Sequence, residues 1–440
     1  MYNWFVENIL LKIGDWLLGT NFIGELRQWR RWQNWDADQI KKLQINRLHY
    51  LLNNIANHNP YYRQFQVEEN PDPVAQLKQY PLLYKKDIKS NLDNIVTGDR
   101  SKLVCEKSSG SSGIQGEVYM SRKEAYASIA IQTFMWEWSG YRLGDNLLQS
   151  GITPNRNLIK TVKDFLLNTH YQSAFYITPD TISQALLKYK RKKAFFGGYA
   201  SGLYAYAQVA REKGLNDISF KSVISWGDKM FPHYRQLIEE QFHCKVFDTY
   251  GCTEGIMIAG QCEHGSYHIL SPHVYLELLD ANGNEVAPGE LGYVVVTRLD
   301  AYAMPLIRYY LGDLAVKAPE DKTCACGRPF PILEQIIGRD TDIVRTPSGK
   351  QLIVHFFTGI FEHIPAIRQF KVVQTELASI TIEYIPDTLL FSENILKEVS
   401  SIIHEKLGEP FPVHYKKVDF IPPTPSGKPQ IIQSTVAHKP

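Results

Sequence analysis

A run of serines and glycines separates two short apolar stretches, and its chemistry suits the binding of an anion. Residues 108–116 read Ser-Ser-Gly-Ser-Ser-Gly-Ile-Gln-Gly and follow Leu103 and Val104. Glycine permits positive φ values, and successive backbone amides in such a loop can line a concavity for an anion. A flexible Ser/Gly linker is the alternative. The residues predicted to cradle a polyphosphate are Ser108, Ser109, Gly110, Ser111, Ser112 and Gly113.

A second polar loop follows a strand-like run. Residues 248–255 read Asp-Thr-Tyr-Gly-Cys-Thr-Glu-Gly. The Thr253 hydroxyl can donate to a phosphate, the Glu254 carboxylate can hold a hard cation such as Mg²⁺, and the Tyr250 ring can stack on a base. An ordinary strand-to-loop turn is the alternative. The positions predicted to bind a magnesium nucleotide are Asp248, Tyr250, Gly251, Thr253 and Glu254.

A third stretch places a carboxylate after a glycine. Residues 304–313 read Met-Pro-Leu-Ile-Arg-Tyr-Tyr-Leu-Gly-Asp. At the end of a strand, the carboxylate of Asp313 can accept both hydroxyls of a ribose. The alternative is a turn aspartate that bonds its own backbone.

A fourth stretch presents a lysine on a stiff loop. Residues 422–428 read Pro-Pro-Thr-Pro-Ser-Gly-Lys, so prolines and a glycine precede Lys428. A cation in such a place can meet charge that develops on a carboxylate and a phosphate. Taken alone, Lys428 would be an ordinary surface residue.

Cysteines and histidines form a candidate metal site. Cys262 is followed closely by His264 and His268, and Cys324 and Cys326 occur further along the chain. These are the usual ligands of structural Zn²⁺, four to a closed site. We predict a structural zinc site made by the three cysteines and His264, which is nearer to Cys262. His268 is the rival fourth ligand, and free thiols are the alternative to a metal.

The elements that must position these groups follow from the apolar pattern. Between residues 146 and 250, apolar runs alternate with helical stretches, which indicates an α/β sheet with helices on its faces. Ligands bind such sheets where the strands end. Strands are predicted near 147–148, 194–196, 223–225 and 246–247, and helices over 36–58, 122–139, 181–191, 199–213 and 232–242.

Beyond residue 250 the pattern changes to short strands separated by turns. Runs at 274–279 and 293–297 flank Asn282-Gly283, which predicts antiparallel β structure. Residues 338–440 have an α/β pattern of their own. We therefore predict two domains, residues 1–337 and residues 338–440. In the second, strands are predicted near 343–345, 370–375 and 379–384, and a helix over 392–407.

Residues 1–20 carry apolar side chains at helical spacing. We favour a helix docked on the body of the protein over one that lies in a membrane interface. Few cations flank the apolar face, which weakens the membrane alternative. The side chains expected to dock are Trp4, Phe5, Ile9, Leu10, Ile13, Trp16 and Leu17.

Composition narrows the classes of function. Of 440 residues, 44% are hydrophobic, enough for a large core, and the net charge of +2 gives no reason to propose nucleic acid as a partner. Six cysteines are too few for a disulfide scaffold of this size. The sequence predicts no membrane-spanning helix and no signal peptide. We therefore expect a cytoplasmic protein.

The motifs occur in one order, and together they resemble the adenylate-forming superfamily, specifically the phenylacetate–CoA ligase-like branch with CapK-type proteins of capsular polysaccharide loci. Residues 108–116 resemble its phosphate loop, and residues 250–254 are similar to its Tyr-Gly-x-Thr-Glu motif. Residues 305–313 resemble its Pro-Leu-Ile-Arg-Tyr and Gly-Asp pair, residues 338–339 its hinge and residues 426–428 its catalytic-lysine motif. The resemblance spans nearly the whole chain.

The resemblance implies the adenylate-forming enzyme fold: a large α/β domain with a β subdomain, and a small mobile C-terminal α+β lid. It also implies ATP-dependent activation of a carboxylic acid. Glu254 would hold Mg²⁺, Thr253 a phosphate and Asp313 the ribose. Lys428 would bridge the carboxylate and the α-phosphate. The acyl group would then pass to CoA or to another acceptor, and similar cysteines in relatives support the zinc site.

The resemblance also assigns two arginines to the site, and this sequence differs from the family pattern at two places. Arg308 would contact the phosphates or the fold around them, and Arg339 of the hinge motif would belong to the nucleotide site. Ile114 and Gln115 stand where the family often has a lysine, and Thr341 stands at the usual hinge aspartate. Either pyrophosphate binds more weakly here or another cation compensates.

Three functions are compatible with these residues. The first is an ATP-dependent acid–thiol (CoA) ligase-like, AMP-forming enzyme with a place in polysaccharide biosynthesis. The second is an adenylate-forming amide ligase that acts on an amino sugar without CoA, and the third is a non-catalytic nucleotide-binding scaffold. The predicted partners are a small carboxylic acid, ATP and an acyl acceptor such as CoA or an amine. A homo-oligomer and peripheral contact with the inner membrane face are left open.

Overall fold

The structure is a computed structural model, and it divides into two compact units. It describes residues 1–107, 117–151, 158–173, 178–252, 254–339, 343–348, 350–361, 364–422 and 430–436. The first unit contains Met1–Glu277, Val295–Tyr310 and Ala318–Glu334, and the second contains Leu278–Val294, Leu311–Lys317 and Gln335–Pro440. The second unit thus takes in two segments of the β region. The boundary between residues 337 and 338 stays a prediction.

Helices make up most of the N-terminal part of the chain. The described α-helices are α1 (Tyr2–Phe5), α2 (Leu11–Leu18), α3 (Phe22–Trp32), α4 (Ala37–Tyr50), α5 (Pro60–Arg63), α6 (Pro73–Leu77), α7 (Lys85–Ser90), α8 (Leu92–Ile95), α9 (Arg122–Glu137), α10 (Leu158–Leu166), α11 (Pro179–Leu187), α12 (Ala200–Glu212), α13 (Pro232–Phe242), α14 (Val354–Phe361) and α15 (Asn394–Leu407). Val6–Leu10 and Leu51–Ile55 are π-helical turns.

Strands occupy the middle and the C-terminal part. They are β1 (Val104–Lys107), β2 (Glu117–Met120), β3 (Leu147–Gly151), β4 (Thr169–Ser173), β5 (Phe195–Tyr199), β6 (Ser222–Trp226), β7 (Lys245–Cys252), β8 (Ile256–Gln261), β9 (Tyr267–Ile269), β10 (Val274–Leu279), β11 (Leu291–Arg298), β12 (Tyr309–Lys317), β13 (Ile332–Arg339), β14 (Ile343–Arg345), β15 (Gln351–Ile353), β16 (Ile367–Glu376), β17 (Ser379–Pro386), β18 (Val413–Lys417) and β19 (Ile432–Ser434).

A parallel sheet forms the centre of the first unit, as the alternating pattern predicts. Its strands lie in the order β4-β3-β5-β6-β7, and all neighbours in that order run parallel. The sheet continues through β8, β9 and the start of β13, which pair antiparallel. In register, Ser225 lies beside Gly198 on one side and beside Asp248 on the other. The carboxyl ends of these strands therefore lie together, where α/β sheets bind ligands.

Two buried clusters hold the first unit together. One lies under α11, α12 and α13 and includes Phe196, Phe220 and Phe242. The other joins α3 and α9 through Trp29 and Phe134, whose ring centroids are 5.5 Å apart. Burial of such large apolar side chains contributes roughly 1.5–3 kcal/mol each. These helices therefore form a fixed support beside the sheet.

The N-terminal helix differs from the expectation of a helix whose apolar face docks on the protein. Val6 is fully buried among residues of α3 and α9, so the segment is attached to the body. The face that carries most of the apolar residues nevertheless points to solvent. Its exposed members are Trp4, Phe5, Ile9, Ile13, Trp16 and Leu17, whereas Leu10 is half-buried. None of the described helices combines the length and apolar character that crossing a bilayer requires.

The second unit has a smaller sheet of its own. Its four strands lie in the order β18-β17-β16-β19, with α15 and α14 in the same unit. The pairs β16–β17 are antiparallel, whereas β16–β19 and β17–β18 are parallel. Gln374 of β16 joins this sheet to the β14–β15 hairpin, because its side chain bonds both the amide and the carbonyl of buried Arg345. The α+β character predicted for residues 338–440 agrees with this arrangement.

Candidate active site

Glu254 lies in the turn between β7 and β8, at the end of the parallel sheet. The next residue, Gly255, has φ +74°, and a Cβ there would lie 2.7 Å from the Met120 sulfur and 2.9 Å from an Arg298 nitrogen. Only glycine fits that backbone without strain. The turn is further fixed where the Ser128 hydroxyl donates to the Gly255 carbonyl at 2.8 Å. The position of the Glu254 carboxylate therefore follows from a tightly packed turn.

The Glu254 carboxylate is buried, and two polar side chains lie close to one of its oxygens. Glu254 is 6% exposed. The Tyr309 hydroxyl donates to Oε1 at 2.9 Å, and Nζ of Lys85 lies 4.0 Å from the same oxygen. A buried carboxylate requires such partners, because an unpaired charge is costly to bury. The carboxylate oxygens are also the atoms a hard divalent cation prefers.

Lys85 lies in this candidate site but is not predicted from the sequence. It begins α7, far from Glu254 in the chain, and its side chain is 20% exposed. No local motif marks it, because only tertiary packing brings α7 to the turn after β7. The phosphate loop lacks the lysine that the family often has there. Lys85, beside the carboxylate that is predicted to bind Mg²⁺, is a candidate for the cation that compensates for it.

A buried charged network lies behind the turn. The Arg298 guanidinium donates to Asp300 at 3.0 Å and to the Ser128 hydroxyl at 3.0 Å. The other oxygen of Asp300 accepts from Nδ1 of His273 at 2.6 Å, while Nε2 of His273 accepts from the Met257 amide. Burial lowers the pKa of His273, in keeping with a neutral ring that donates from Nδ1. The network bonds the Met257 amide and, through Ser128, the Gly255 carbonyl, so it fixes the backbone that follows Glu254.

Arg308, which the sequence predicts as a catalytic residue in contact with the phosphates or the fold around them, is bonded to other residues of the first unit. It is 8% exposed and has φ +51°. Its guanidinium donates twice to Glu277, at 3.0 and 3.2 Å, and also to the carbonyls of Lys78 and Tyr80. These bonds occupy N–H donors of the planar Arg308 guanidinium that could otherwise bind a phosphate. Of its two predicted roles, the contacts support the one in the fold around the phosphates.

Asp248 and the residues after it lie on β7. Asp248 is buried, and its Oδ2 accepts from the Tyr267 hydroxyl at 2.6 Å. Burial raises the pKa of Asp248 to about 6, although the bond from Tyr267 acts in the opposite direction. Tyr250 pairs with Ala259 of β8, and an irregularity in the register separates it from Gly251. The half-buried Tyr250 and the exposed Gly251 thus lie close to the Glu254 turn.

Two predicted nucleotide residues contact each other in the second unit. Nε of Arg339 lies 3.0 Å from Oδ1 of Asp313, and its Nη1 donates to the Leu311 carbonyl. The Asp313 side chain is mostly buried, whereas that of Arg339 is half-exposed. The Asp313 carboxylate therefore has a cationic partner in this arrangement. Binding of a ribose there would share or replace that contact.

Several predicted site residues lie outside the described residues. They are Ser108, Ser109, Gly110, Ser111, Ser112 and Gly113 of the phosphate loop, Thr253 and Lys428. Thr341, at the usual position of the hinge aspartate, also lies outside the described residues. The two strands that flank the phosphate loop, β1 and β2, pair antiparallel with Lys107 opposite Glu117.

The cysteine and histidine cluster is brought together as a four-ligand group in the first unit. One ligand atom from each of Cys262, His268, Cys324 and Cys326 lies within 4.8 Å of all the others. The Cys262 and Cys324 sulfurs are 3.6 Å apart, and Nε2 of His268 lies 3.2 Å from the Cys326 sulfur. Three sulfurs and one imidazole match the donor set of a closed structural zinc site.

His268, and not His264, supplies the imidazole, which corrects the prediction made from sequence distance. The His264 side chain is exposed, and only its backbone amide approaches the Cys262 sulfur, at 3.4 Å. His268 is fully buried, and its Nδ1 lies 3.1 Å from the Phe330 carbonyl. Such a bond leaves Nε2 aimed at the sulfurs, as second-shell contacts of metal-bound histidines do. Burial also lowers the pKa of His268, which favours the neutral, ligating ring.

Comparison with known proteins supports the resemblance along the chain. Residues 344–435 match the family model described as the CapK C-terminal domain. The chain is 22% identical to protein CapK of Staphylococcus aureus, a match that covers 89% of each sequence. It is 30% identical to phenylacetate-coenzyme A ligase of Thermus thermophilus over 145 residues, which is 31% of this chain and 32% of that ligase.

A solved structure agrees with the predicted fold. The crystal structure of 2-hydroxyisobutyryl-CoA ligase in complex with 2-HIB-AMP aligns with a TM-score of 0.73 at 20% identity and covers 92% of each chain. The predicted adenylate-forming fold is therefore confirmed. The predicted resemblance to the CapK-type, phenylacetate–CoA ligase-like branch is confirmed by the sequence matches, and these relatives agree with an AMP-forming ligase as the class of enzyme.

Proposed function

We propose that this chain, which has the adenylate-forming fold and is related to CapK, uses ATP to activate a carboxylic acid as an acyl-adenylate. It then transfers the acyl group to an acceptor, for which CoA is the first candidate. The observation that carries the proposal is the buried Glu254 carboxylate, held by Tyr309 at 2.9 Å with Lys85 at 4.0 Å. A carboxylate and a lysine at the end of a parallel sheet suit a magnesium-bound triphosphate.

We propose a separate role in binding or catalysis for each polar or charged side chain of the site. Glu254 would hold Mg²⁺, and Lys85 would face phosphate oxygens and compensate for the phosphate-loop lysine replaced by Ile114-Gln115. Thr253 would add a hydroxyl donor, and Lys428 would meet the charge that develops as the acid attacks the α-phosphorus. Because pyrophosphate leaves in that step, positioning and charge stabilisation dominate the catalysis.

We further propose that Asp313 binds the ribose and that Arg339 acts with it. Their contact at 3.0 Å supports this pairing, because the Arg339 guanidinium, as a charged partner on one oxygen, helps to orient the Asp313 carboxylate for a ribose hydroxyl. The residues predicted for the phosphate loop, with Asp248, Tyr250 and Gly251, remain the proposed lining of the rest of the nucleotide site.

We assign a structural Zn²⁺ to Cys262, His268, Cys324 and Cys326. Support comes from the donor set, the separation of at most 4.8 Å between ligand atoms and the bond from His268 to the Phe330 carbonyl. Burial raises the pKa of Cys262 to about 11, so a metal would be needed to keep this thiol deprotonated. A metal here would join the β8–β9 hairpin to the segment before β13.

The test is a screen of carboxylic acids by ATP-dependent pyrophosphate release, run with and without CoA and with and without an amino sugar. We expect one acid class to release pyrophosphate, and the Lys428→Ala variant to lose that activity while its thermal unfolding is unchanged. CoA consumption would identify a thioester ligase, whereas amide formation without CoA would identify the amide-ligase alternative. MgATP binding with no pyrophosphate release for any acid would favour the non-catalytic scaffold and contradict the proposal. A place in polysaccharide biosynthesis and a cytoplasmic location stay predictions.

A further inference from the structure

The N-terminal helices carry several large apolar side chains that are exposed to solvent. Trp16 is 80% exposed, Leu17 68% and Trp4 63%. We define the N-terminal face as Trp4, Phe5, Ile9, Ile13, Trp16 and Leu17, all of which are exposed. Single exposed apolar residues are normal on a protein surface, but six large ones on one short segment are typical of an interaction site.

The exposure of this face does not come from a detached segment. Val6, on the opposite side, is fully buried in a cluster with Phe22 and Leu26 of α3. Asp15 accepts from the amides of Phe22 and Ile23, at 2.8 and 2.9 Å, and so caps the start of α3. The segment is therefore fixed on one side, and its other side is held outward.

The charges around the face are arranged by sign. Both acidic residues of the segment are turned inward, because Asp15 caps α3 and Glu7 pairs with Arg30 at 2.7 Å. Lys12, within the face, is exposed. Arg122 is exposed and donates to the Leu18 carbonyl at 3.3 Å, which places a second cation at the C-terminal end of the face. Lys123 beside it is also exposed.

An anionic lipid surface fits this arrangement of groups. Tryptophans lie toward the two ends of the face, and indole rings combine a large apolar body with one N–H that prefers the polar boundary of a membrane. Lysine can extend its charge to the headgroups while its aliphatic stem stays among apolar groups. Aromatic and aliphatic residues on one face, with cations beside them, are the composition of helices that lie in a bilayer interface.

A second copy of the chain fits less well. In a two-fold symmetric contact the same patch meets itself. Such a contact would bring Lys12 of one copy to the apolar patch that contains Lys12 of the other, and no exposed carboxylate of the segment is available to pair with either. The sign of the charges therefore favours a surface that is itself anionic.

We propose that the N-terminal face is a peripheral membrane-binding surface that inserts its apolar side chains among the headgroups of anionic phospholipids. The surface is separate from the candidate active site in sequence and in composition. This inference does not depend on the proposed ligase chemistry, because pyrophosphate release and lipid binding are measured independently.

The test is flotation of the full-length chain with vesicles of phosphatidylglycerol and phosphatidylcholine, or of phosphatidylcholine alone. We expect binding to the anionic vesicles that weakens at high salt, and a loss of about tenfold or more in the Ile13→Ser/Trp16→Ser double variant. The Leu389→Ser variant is the matched control, because Leu389 is 91% exposed and lies in the second unit. Lys12→Glu should weaken binding to anionic vesicles more than to neutral ones.

Two outcomes would overturn the proposal. The first is absence of vesicle binding by the unmodified chain, or equal binding by the double variant with unchanged circular dichroism and thermal unfolding. The second is a dimer in sedimentation that the double variant abolishes without any lipid binding, which would assign the face to a second copy. Since the substituted side chains are exposed, loss of folding is not expected in either variant.

Discussion

The Tyr309 hydroxyl donates to Oε1 of Glu254 at 2.9 Å, and both residues belong to the first unit. Tyr309 is the first residue of β12 and directly follows Arg308. One short motif thus fixes two carboxylates: Arg308 binds Glu277, and Tyr309 binds Glu254. The first contact holds the fold, whereas the second holds the residue proposed to bind Mg²⁺.

Replacing Tyr309 by phenylalanine should weaken the proposed magnesium site without unfolding the protein. The change removes one hydroxyl that donates to a carboxylate, a contact worth roughly 1.5–3 kcal/mol. We expect the Mg²⁺ concentration for half-maximal MgATP binding or pyrophosphate release to rise about tenfold. Isothermal titration at several Mg²⁺ concentrations measures this. Tyr50→Phe, at a half-exposed tyrosine whose ring packs on Tyr302, is the control and should leave the Mg²⁺ dependence unchanged.

Lys85→Met should weaken binding of the triphosphate more than binding of the nucleoside. A lost charge contact to phosphate predicts about a 10- to 100-fold rise in the KM for ATP, with a smaller effect on AMP binding. Lys86→Met is the matched control, since Lys86 is exposed and its ammonium lies over the Tyr84 ring at 5.6 Å. Equal effects of the two substitutions on ATP binding would exclude Lys85 as the compensating cation.

His268→Gln and His264→Gln test the zinc assignment as a pair. We expect the His268 variant to lose stoichiometric zinc and to unfold at a lower temperature, because its Nε2 lies 3.2 Å from the Cys326 sulfur. The exposed His264 should be replaceable without change in either property. Elemental analysis and thermal unfolding, with and without a chelator, measure both. Freshly purified unmodified protein that contains no stoichiometric metal would contradict the site altogether.

Asp248→Asn should change how stability depends on pH. The folded pKa of about 6 exceeds the ordinary value of 3.8, so the folded state holds a proton that the unfolded state has already released. Asp248 therefore contributes stability at low pH that is lost as the pH rises through about 6. The full loss is at most roughly 3 kcal/mol. Asparagine has no such loss and still accepts from Tyr267, so the stability advantage of the variant should grow with pH in urea unfolding.

Tyr267→Phe provides the complementary measurement. The Tyr267 hydroxyl bonds the charged carboxylate and thereby lowers the pKa of Asp248. Its removal should raise that pKa further, so the total loss of stability with rising pH should be larger and should extend to higher pH. A pH dependence that is the same in all three proteins would show that Asp248 does not carry the expected buried charge.

Much of the fold follows from local patterns. The helix predicted over 232–242 matches α13, and the run at 274–279 matches β10. The helix predicted over 36–58 is α-helical only to Tyr50 and then continues as a π-helical turn. The spacing of apolar residues does not predict this change of helix type. Strand β4 was not predicted, because its sequence, Thr-His-Tyr-Gln-Ser, has no apolar run.

The site was predictable where neighbours in sequence are neighbours in space. Glu254 is predicted from its own loop and stays a prediction, whereas Lys85 reaches it only through the packing of α7. His264 was preferred to His268 because it is closer to Cys262 in sequence. The turn after Cys262, closed by a bond from the Cys262 amide to the Ser266 carbonyl at 2.9 Å, directs the His264 side chain to solvent and leaves His268 facing the sulfurs. Such choices depend on turn geometry, which residue types alone do not specify.

The four proposed zinc ligands lie in two segments, and Cys262 and Cys324 are 62 positions apart in the chain. A metal that joined them would close a long loop, and the lost chain entropy of that closure corresponds to a free-energy cost of about 4 kcal/mol. During synthesis on a ribosome, the hairpin with Cys262 and His268 emerges before its partner cysteines exist. An ion captured early would therefore have only half of its final ligands, and the proposed site would reach full affinity only after Cys326 has left the exit tunnel.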